Sequence, residues 1–137
     1  MTETNRQGIL IADDDENILQ TLYDAIKEFA KHRGKYICEA KNGLVATQLL
    51  DEKRTEASAI RTILTDWNLG FPLEYDGDRI VAEALRKGIT NIAVQTGERD
   101  NKKFDELRSQ GVPVFKKPLS PDDLIRFLRD RILVYSE

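Results

Sequence analysis

The stretch Arg61-Thr-Ile-Leu-Thr-Asp-Trp-Asn-Leu-Gly70 decides how the chain is read. A short apolar run around Ile63 and Leu64 reaches one carboxylate, Asp66, and then breaks into a loop. Such a run suits a strand buried on both faces of a parallel sheet, which leaves its last residue at the open carboxyl end. A carboxylate in that place is expected to do chemistry, and the other motifs are weighed by whether they converge on it.

Upstream, Gly8-Ile-Leu-Ile-Ala12 is a second continuous apolar run, stopped by Asp13-Asp-Asp-Glu16. Asp15 can cap a helix whose Ile18, Leu22, Ile26 and Phe29 recur at helical spacing, with Lys31, His32 and Arg33 at its negative end. Lys35 to Ala40 reads as a strand, and Asn42-Gly43 opens a helix carrying Leu44, Val45, Leu49 and Leu50 that fades in the charged segment 51–56. Beyond Asp66, a loop with Pro72 and Asp76-Gly77 leads to a helix with Ile80, Val81, Ala84 and Leu85, closed by Gly88. Ile89 to Gln95 is the fourth strand and ends at Thr96-Gly97. Lys102 to Gln110 is a polar helix anchored only by Phe104 and Leu107, so it is expected to pack less firmly and to be able to move. Val112 to Phe115 is the fifth strand, placed at an edge because Pro113 cannot donate to a ladder. Ser120, Pro121 and Asp123 open a last helix using Leu124, Phe127 or Leu128, Ile132 and Tyr135.

Five strands alternating with five helices predict an α/β fold, an open, doubly wound parallel sheet that binds ligands at the carboxyl ends of its strands. The 137 residues suit one domain, residues 1–137, with 1–7 expected to be a flexible start. With 21 basic and 24 acidic side chains the net charge is -3, which gives no electrostatic case for direct nucleic-acid binding. Cys38 alone excludes an intramolecular disulfide framework and reads as a small core filler. The polar start lacks the apolar stretch of a signal peptide, and no segment reaches membrane-spanning length, so a cytoplasmic protein without membrane insertion is expected.

The strand-end residues to inspect are therefore Asp13, Asp14, Asp66, Thr96 and Lys117. Three carboxylates in one crevice repel one another, and a hard divalent cation with oxygen ligands, Mg2+ above all and Mn2+ as an alternative, relieves the crowding. A lysine across the crevice neutralises added negative charge, and a threonine hydroxyl donates to an oxyanion. Together these describe a phosphoryl clamp with Asp66 as nucleophile. Read singly, each residue has a plainer meaning: Asp13 to Glu16 as helix-capping acids, Asp66 as a strand-end cap, and Lys117-Pro118 as an ordinary turn. His32 is a solvated helix end, and Trp67 is packing beside the site.

In combination, the motifs resemble the receiver domain of two-component response regulators, in a single-domain form like the chemotaxis regulator. The likeness covers roughly residues 9–135 and rests on Ile9-Leu-Ile-Ala-Asp-Asp-Asp15, Glu39-Ala-Lys-Asn-Gly43, Ile63-Leu-Thr-Asp-Trp-Asn68, Asp76-Gly77, Val94-Gln-Thr-Gly97 and Phe115-Lys-Lys-Pro118. It implies a flavodoxin-like sheet of order 2-1-3-4-5. It also implies that Asp66 accepts a phosphoryl group from a sensor histidine kinase or a histidine phosphotransfer protein, and that an altered surface then engages a downstream protein. Asp14 would hold Mg2+ directly, Asp13 through water, and Asn68 through its backbone carbonyl. Thr96 would bond the phosphoryl group, Lys117 would pair with it, and the Lys117-Pro118 peptide would be cis. Lys116 should point to the other side of the strand. Asn68 and Glu98 occupy the positions that tune phosphate lifetime, and an amide and a carboxylate there could orient water, so a short-lived aspartyl phosphate is expected. The protein would then be no enzyme beyond catalysing its own phosphorylation and dephosphorylation.

The chain departs from the family in three places. Val114 stands where an aromatic usually precedes the lysine, with Phe115 expected to fill core or interface instead. The loop 68–76 is long, with Phe71, Leu73 and Tyr75 forming either a docking element or a folded-back lid. The segment 51–61 is extended and reads as a solvated helix end. The chain ends after its last helix, so output is expected from its own surface unless it is a fragment. Two rivals remain: a small Mg2+-dependent aspartyl-phosphate phosphatase, which would want an acid where Asn68 stands, and a receiver-like binding module that is never phosphorylated, which would want a gap among the key positions.

Overall fold

The continuous apolar runs form the centre of a five-stranded parallel sheet of order β2-β1-β3-β4-β5. The computed structural model describes residues 7–52, 59–70 and 72–136, with side chains through 129. In chain order the elements are β1 (Gly8–Ala12), α1 (Glu16–His32), β2 (Tyr36–Ala40), α2 (Gly43–Glu52), β3 (Ile60–Asp66), a 3-10 turn (Leu73–Tyr75), α3 (Gly77–Arg86), β4 (Asn91–Thr96), α4 (Lys102–Ser109), β5 (Val114–Lys116) and α5 (Pro121–Ser136). The expected α/β architecture and strand order are both present.

Strand alternation divides the interior into two cores. Ile9 and Ile11 face α1 and α5, where they meet Leu22, Ile26, Leu124 and Leu128, whereas Leu10 and Ala12 face α2, α3 and α4, where they meet Leu50, Ile80 and Phe104. With every β1 residue buried, an unbroken apolar run is the required sequence. Phe104 and Leu107 are both buried and are the only buried residues of α4. Cys38 is half-buried against the α2–α4 core.

Several expected details shift. The buried seam of α1 runs through Leu19, Leu22, Ile26 and Ala30, so Ile18 and Phe29 flank it half-exposed, and Phe29 carries the Arg33 guanidinium at 4.0 Å from its ring centre. In α2, Ala46 and Thr47 join Leu50 inside, while Leu44, Val45 and Leu49 lie at the margin. Ile89 belongs to the turn that ends α3, with its N–H bonded to the Ala84 carbonyl, so β4 begins at Asn91. Likewise the Val112 N–H closes α4 on the Leu107 carbonyl, and β5 starts after Pro113, on the expected edge. Expectations for 1–6, 53–58, Phe71 and the Ile132 and Tyr135 side chains lie outside the described residues. No helix among the described residues is long and apolar enough to cross a membrane.

Candidate functional site

The site is assembled where β1, β3, β4 and β5 end. Asp13 follows β1, and its N–H is fixed by the Ala40 carbonyl at the end of β2. Asp66 closes β3 in register with Gln95 of β4, and Trp67 continues the ladder through its N–H to the Gln95 carbonyl. Lys117 follows β5, and its N–H is bonded to the Thr96 carbonyl. The Lys117-Pro118 peptide is cis, as the resemblance implies.

These anchors bring Asp13, Asp14 and Asp66 together, so that one carboxylate oxygen from each lies within 4.8 Å of the others. Asp13 and Asp66 are buried and Asp14 is exposed, so the cluster opens to solvent on one side. The Lys117 ammonium reaches in from β5, 2.7 Å from Asp66 Oδ2 and 3.2 Å from Asp13 Oδ2. Three carboxylates therefore face one ammonium. Removal from water favours the neutral acid and pushes Asp66 up to about 6; the Lys117 hydrogen bond opposes this and the Asp13 charge adds to it. Asp13 is also raised, by burial first, against the pull of the Asp15 N–H and Lys117. Burial works against the Lys117 ammonium, but its hydrogen bond to Asp66 and the charges of Asp66 and Asp13 outweigh that, and its pKa rises. At neutral pH Asp66 is ionised yet poorly solvated, the condition of an activated carboxylate nucleophile.

The residues fit a hard divalent cation. The donors are all carboxylate oxygens, they crowd within bonding reach of a single centre, and their charge exceeds what Lys117 can balance. Mg2+ would be held by Asp13, Asp14 and Asp66.

A further contributor is Gln95, whose Nε2 donates to Asp13 Oδ2 at 3.0 Å while the Asp15 N–H holds Asp13 Oδ1 at 2.9 Å. Asp13 is thus fixed at both oxygens. Sequence reading assigned Gln95 no role because a glutamine in a strand carries no chemical signature; the available signal was a polar residue in an otherwise apolar buried strand, next to Thr96.

Thr96, Asn68 and Glu98 form the rim. The buried Thr96 hydroxyl accepts from the Glu98 N–H at 3.0 Å, which leaves its own proton free to donate, and among the described residues it makes no bond to Asp66. Asn68 offers its N–H to Asp66 Oδ1 at a long 3.4 Å and its side-chain amide to Glu98 Oε2 at 2.6 Å. The two expected tuning residues are thus joined to each other. Lys116 turns away from the carboxylates and donates to the Glu98 carbonyl at 2.6 Å. Val114 sits against the α2–α4 core, while Phe115 faces α5 and packs edge-on to Phe127.

The loop after Asp66 is held down. The Leu69 side chain is buried, and its N–H is bonded to Asp76 Oδ1 at 2.7 Å. The Gly77 N–H meets the Trp67 carbonyl at 3.0 Å, and a Cβ at Gly77 would lie 2.6 Å from the Asp66 carbonyl oxygen. At Gly43 a Cβ would fall on the Tyr75 carbonyl. Asp76-Gly77 and Asn42-Gly43 are therefore close-approach positions that clamp the loop. Among the described large apolar side chains Leu73 stands out, 64% exposed.

The architecture is that of response-regulator receiver domains. Similar solved structures include the signal receiver domain of an HD domain-containing protein from Pseudomonas fluorescens Pf-5, with TM-score 0.75 and 22% identity over 96% of this chain and 99% of that one. A response regulator receiver domain protein from Clostridium thermocellum gives TM-score 0.75 and 19% identity over 94% and 96%. A response regulator receiver protein from Sinorhizobium medicae WSM419 gives 0.73 and 21% over 96% and 98%. At these identities the likeness defines the fold. No family model matches the chain, and no curated protein matches it in sequence.

Proposed function

We propose that the protein is a phosphoacceptor response regulator, in which Asp66 takes a phosphoryl group from a histidine kinase or phosphotransfer protein in a Mg2+-dependent reaction. The observation that carries this reading is the buried Asp66 carboxylate, paired to Lys117 at 2.7 Å and grouped with Asp13 and Asp14 at the carboxyl end of a receiver fold.

An Asp66 carboxylate oxygen attacks the phosphorus of the donor; the new O–P bond forms as the donor's N–P bond, or the O–P bond of acetyl phosphate, breaks, and the electron pair leaves with the imidazole or acetate. Mg2+, when bound, supplies positive charge against the oxygens of the transferring group. Lys117, already on Asp66, follows the added charge onto the phosphoryl group. Thr96 rotates its free hydroxyl proton toward a phosphoryl oxygen, and through the Glu98 N–H it draws the loop before α4 along. The surface of α4, β5 and α5 then changes its partner preference, a population shift driven by charge.

Asn68 and Glu98 meet at the mouth, where their amide and carboxylate can together orient an attacking water. The aspartyl phosphate is short-lived on this reading, and a half-life of many hours in native buffer would count against that part. For the main reading, incubation with acetyl phosphate and Mg2+ followed by intact mass should show one added phosphoryl group. Absence of the gain, or its survival in Asp66→Asn, sinks the proposal.

A further inference from the structure

At the opposite, amino end of the sheet lies a second concavity, about 260 Å3, with no bearing on the reaction proposed for Asp66. Its polar lining comes from Gln7, Lys35, Arg61, Thr62, Thr90 and Asn91, and among the described residues no aspartate or glutamate lines it. Arg61 belongs to β3, and Thr62 and Asn91 are register partners in β3 and β4, so the sheet itself forms part of the wall.

Neither cation meets a counter-charge among the described residues: the Lys35 ammonium makes one hydrogen bond there, to Gln7 Oε1 at 3.5 Å, and the Arg61 guanidinium makes no hydrogen bond or ion pair. Their neighbours are otherwise treated. Lys87 pairs with Asp51 at 3.0 Å and Arg86 with Glu83 at 3.7 Å, in a third concavity that Arg61 also lines. Lys35 also lines a concavity that it shares with Lys27, Glu28 and Lys31. Burial depresses the Lys35 ammonium, and an anion beside it would favour its charged form. Field lines from cations in a concave low-dielectric wall are focused, and a guanidinium fork matches carboxylate and phosphate oxygens.

We propose that this amino-end cavity binds a compact organic anion bearing a carboxylate or phosphate, with Arg61 and Lys35 as its counter-charges and Thr62 and Asn91 as orienting hydrogen-bond partners. The volume falls just below the roughly 300 to 1,000 Å3 usual for drug-sized ligands, so the anion is smaller than a nucleotide. The ligand and the phosphoacceptor then occupy opposite ends of the same strand.

The test is a titration of the full chain with orthophosphate, pyrophosphate, citrate and a neutral polyol, followed by amide chemical shifts and calorimetry. Saturable 1:1 binding of at least one anion but not of the polyol is expected, with shifts concentrated at Lys35, Arg61, Thr62, Thr90 and Asn91. Phosphate and carboxylate arms separate the two chemistries. Arg61→Gln and Lys35→Gln should each weaken binding by roughly tenfold, while the melting transition and the Asp66 mass gain stay unchanged. Unsaturable binding of every anion, shifts confined to the Asp66 end, or undiminished affinity in both variants would overturn the site.

Discussion

The two ends of this one sheet carry opposite and differently managed charge. At the carboxyl end three carboxylates converge on one ammonium, and the most buried of them, Asp13, is held by a backbone N–H, an amide and Lys117. At the amino end Lys35 and Arg61 converge on a cavity that no carboxylate of the described residues lines. The first is a fixed constellation whose geometry is set before a substrate arrives, which is what electrostatic catalysis requires. The second sets two cations in a wall formed partly by the sheet, without a nucleophile beside them, which suits the proposed holding of an ion and not its transformation. Substitutions at the first end should therefore alter chemistry and pH response, and those at the second should alter neither.

The largest contrast comes from Lys117→Ala. Removing the ammonium that faces Asp66 should slow phosphorylation by acetyl phosphate by about 10²- to 10³-fold, read by time-resolved intact mass; a rate within a factor of two of the parent would break the distinction. Next comes the pH response. Asp66 is raised in the folded protein, so between about pH 4 and 6 the folded state keeps a proton that the unfolded state has released. Stability without divalent cation then falls as pH climbs through that window, because desolvation outweighs the Lys117 pair, the reverse of a carboxylate whose pKa is depressed on folding. Asp66→Asn abolishes this cost and should be more stable than the parent at pH 7.5 by as much as about 3 kcal/mol, with no difference near pH 4, measured by urea melts without and with Mg2+. Equal stability at both pH values would show that the carboxylate is not strained by burial.

Gly77→Ala sharpens the comparison at the backbone. The new methyl meets the backbone of Asp66 and Trp67 on a segment that cannot swing aside, and a loss of about 1 to 3 kcal/mol is expected together with slower phosphorylation. Smallest of all, Lys35→Gln should leave unfolding within about 0.5 kcal/mol of the parent, since no carboxylate loses a partner. A larger loss would mean that the amino end is a structural lock.

Much of this was legible in the residues themselves. Buried parallel strands must be apolar on both faces, so Gly8–Ala12 and Ile60–Asp66 announced themselves, and the acids and the lysine at strand ends marked one rim. Boundaries were less legible where an apolar residue served a turn: Ile89 and Val112 fill the corners that return the chain from α3 and α4, and sequence pattern alone assigns them to the strands. The α1 seam is set by Ala30, whose small side chain carries little hydrophobic signal yet is buried, while the larger Phe29 takes the margin. Gln95 was invisible because its role is a partnership with Asp13, 82 positions away, and depends on strand order. The unpaired state of Lys35 and Arg61 was equally hidden, for pairing is a property of distances.

The edge-on contact between Trp67 and Phe104, with ring centres 5.4 Å apart, joins the residue next to Asp66 to the first turn of α4. Trp67 is the chain's single tryptophan. Its emission is thus an internal gauge with one pointer: if the proposed modification of Asp66 displaces that helix, the indole's surroundings change, and the spectrum reports it without any attached dye.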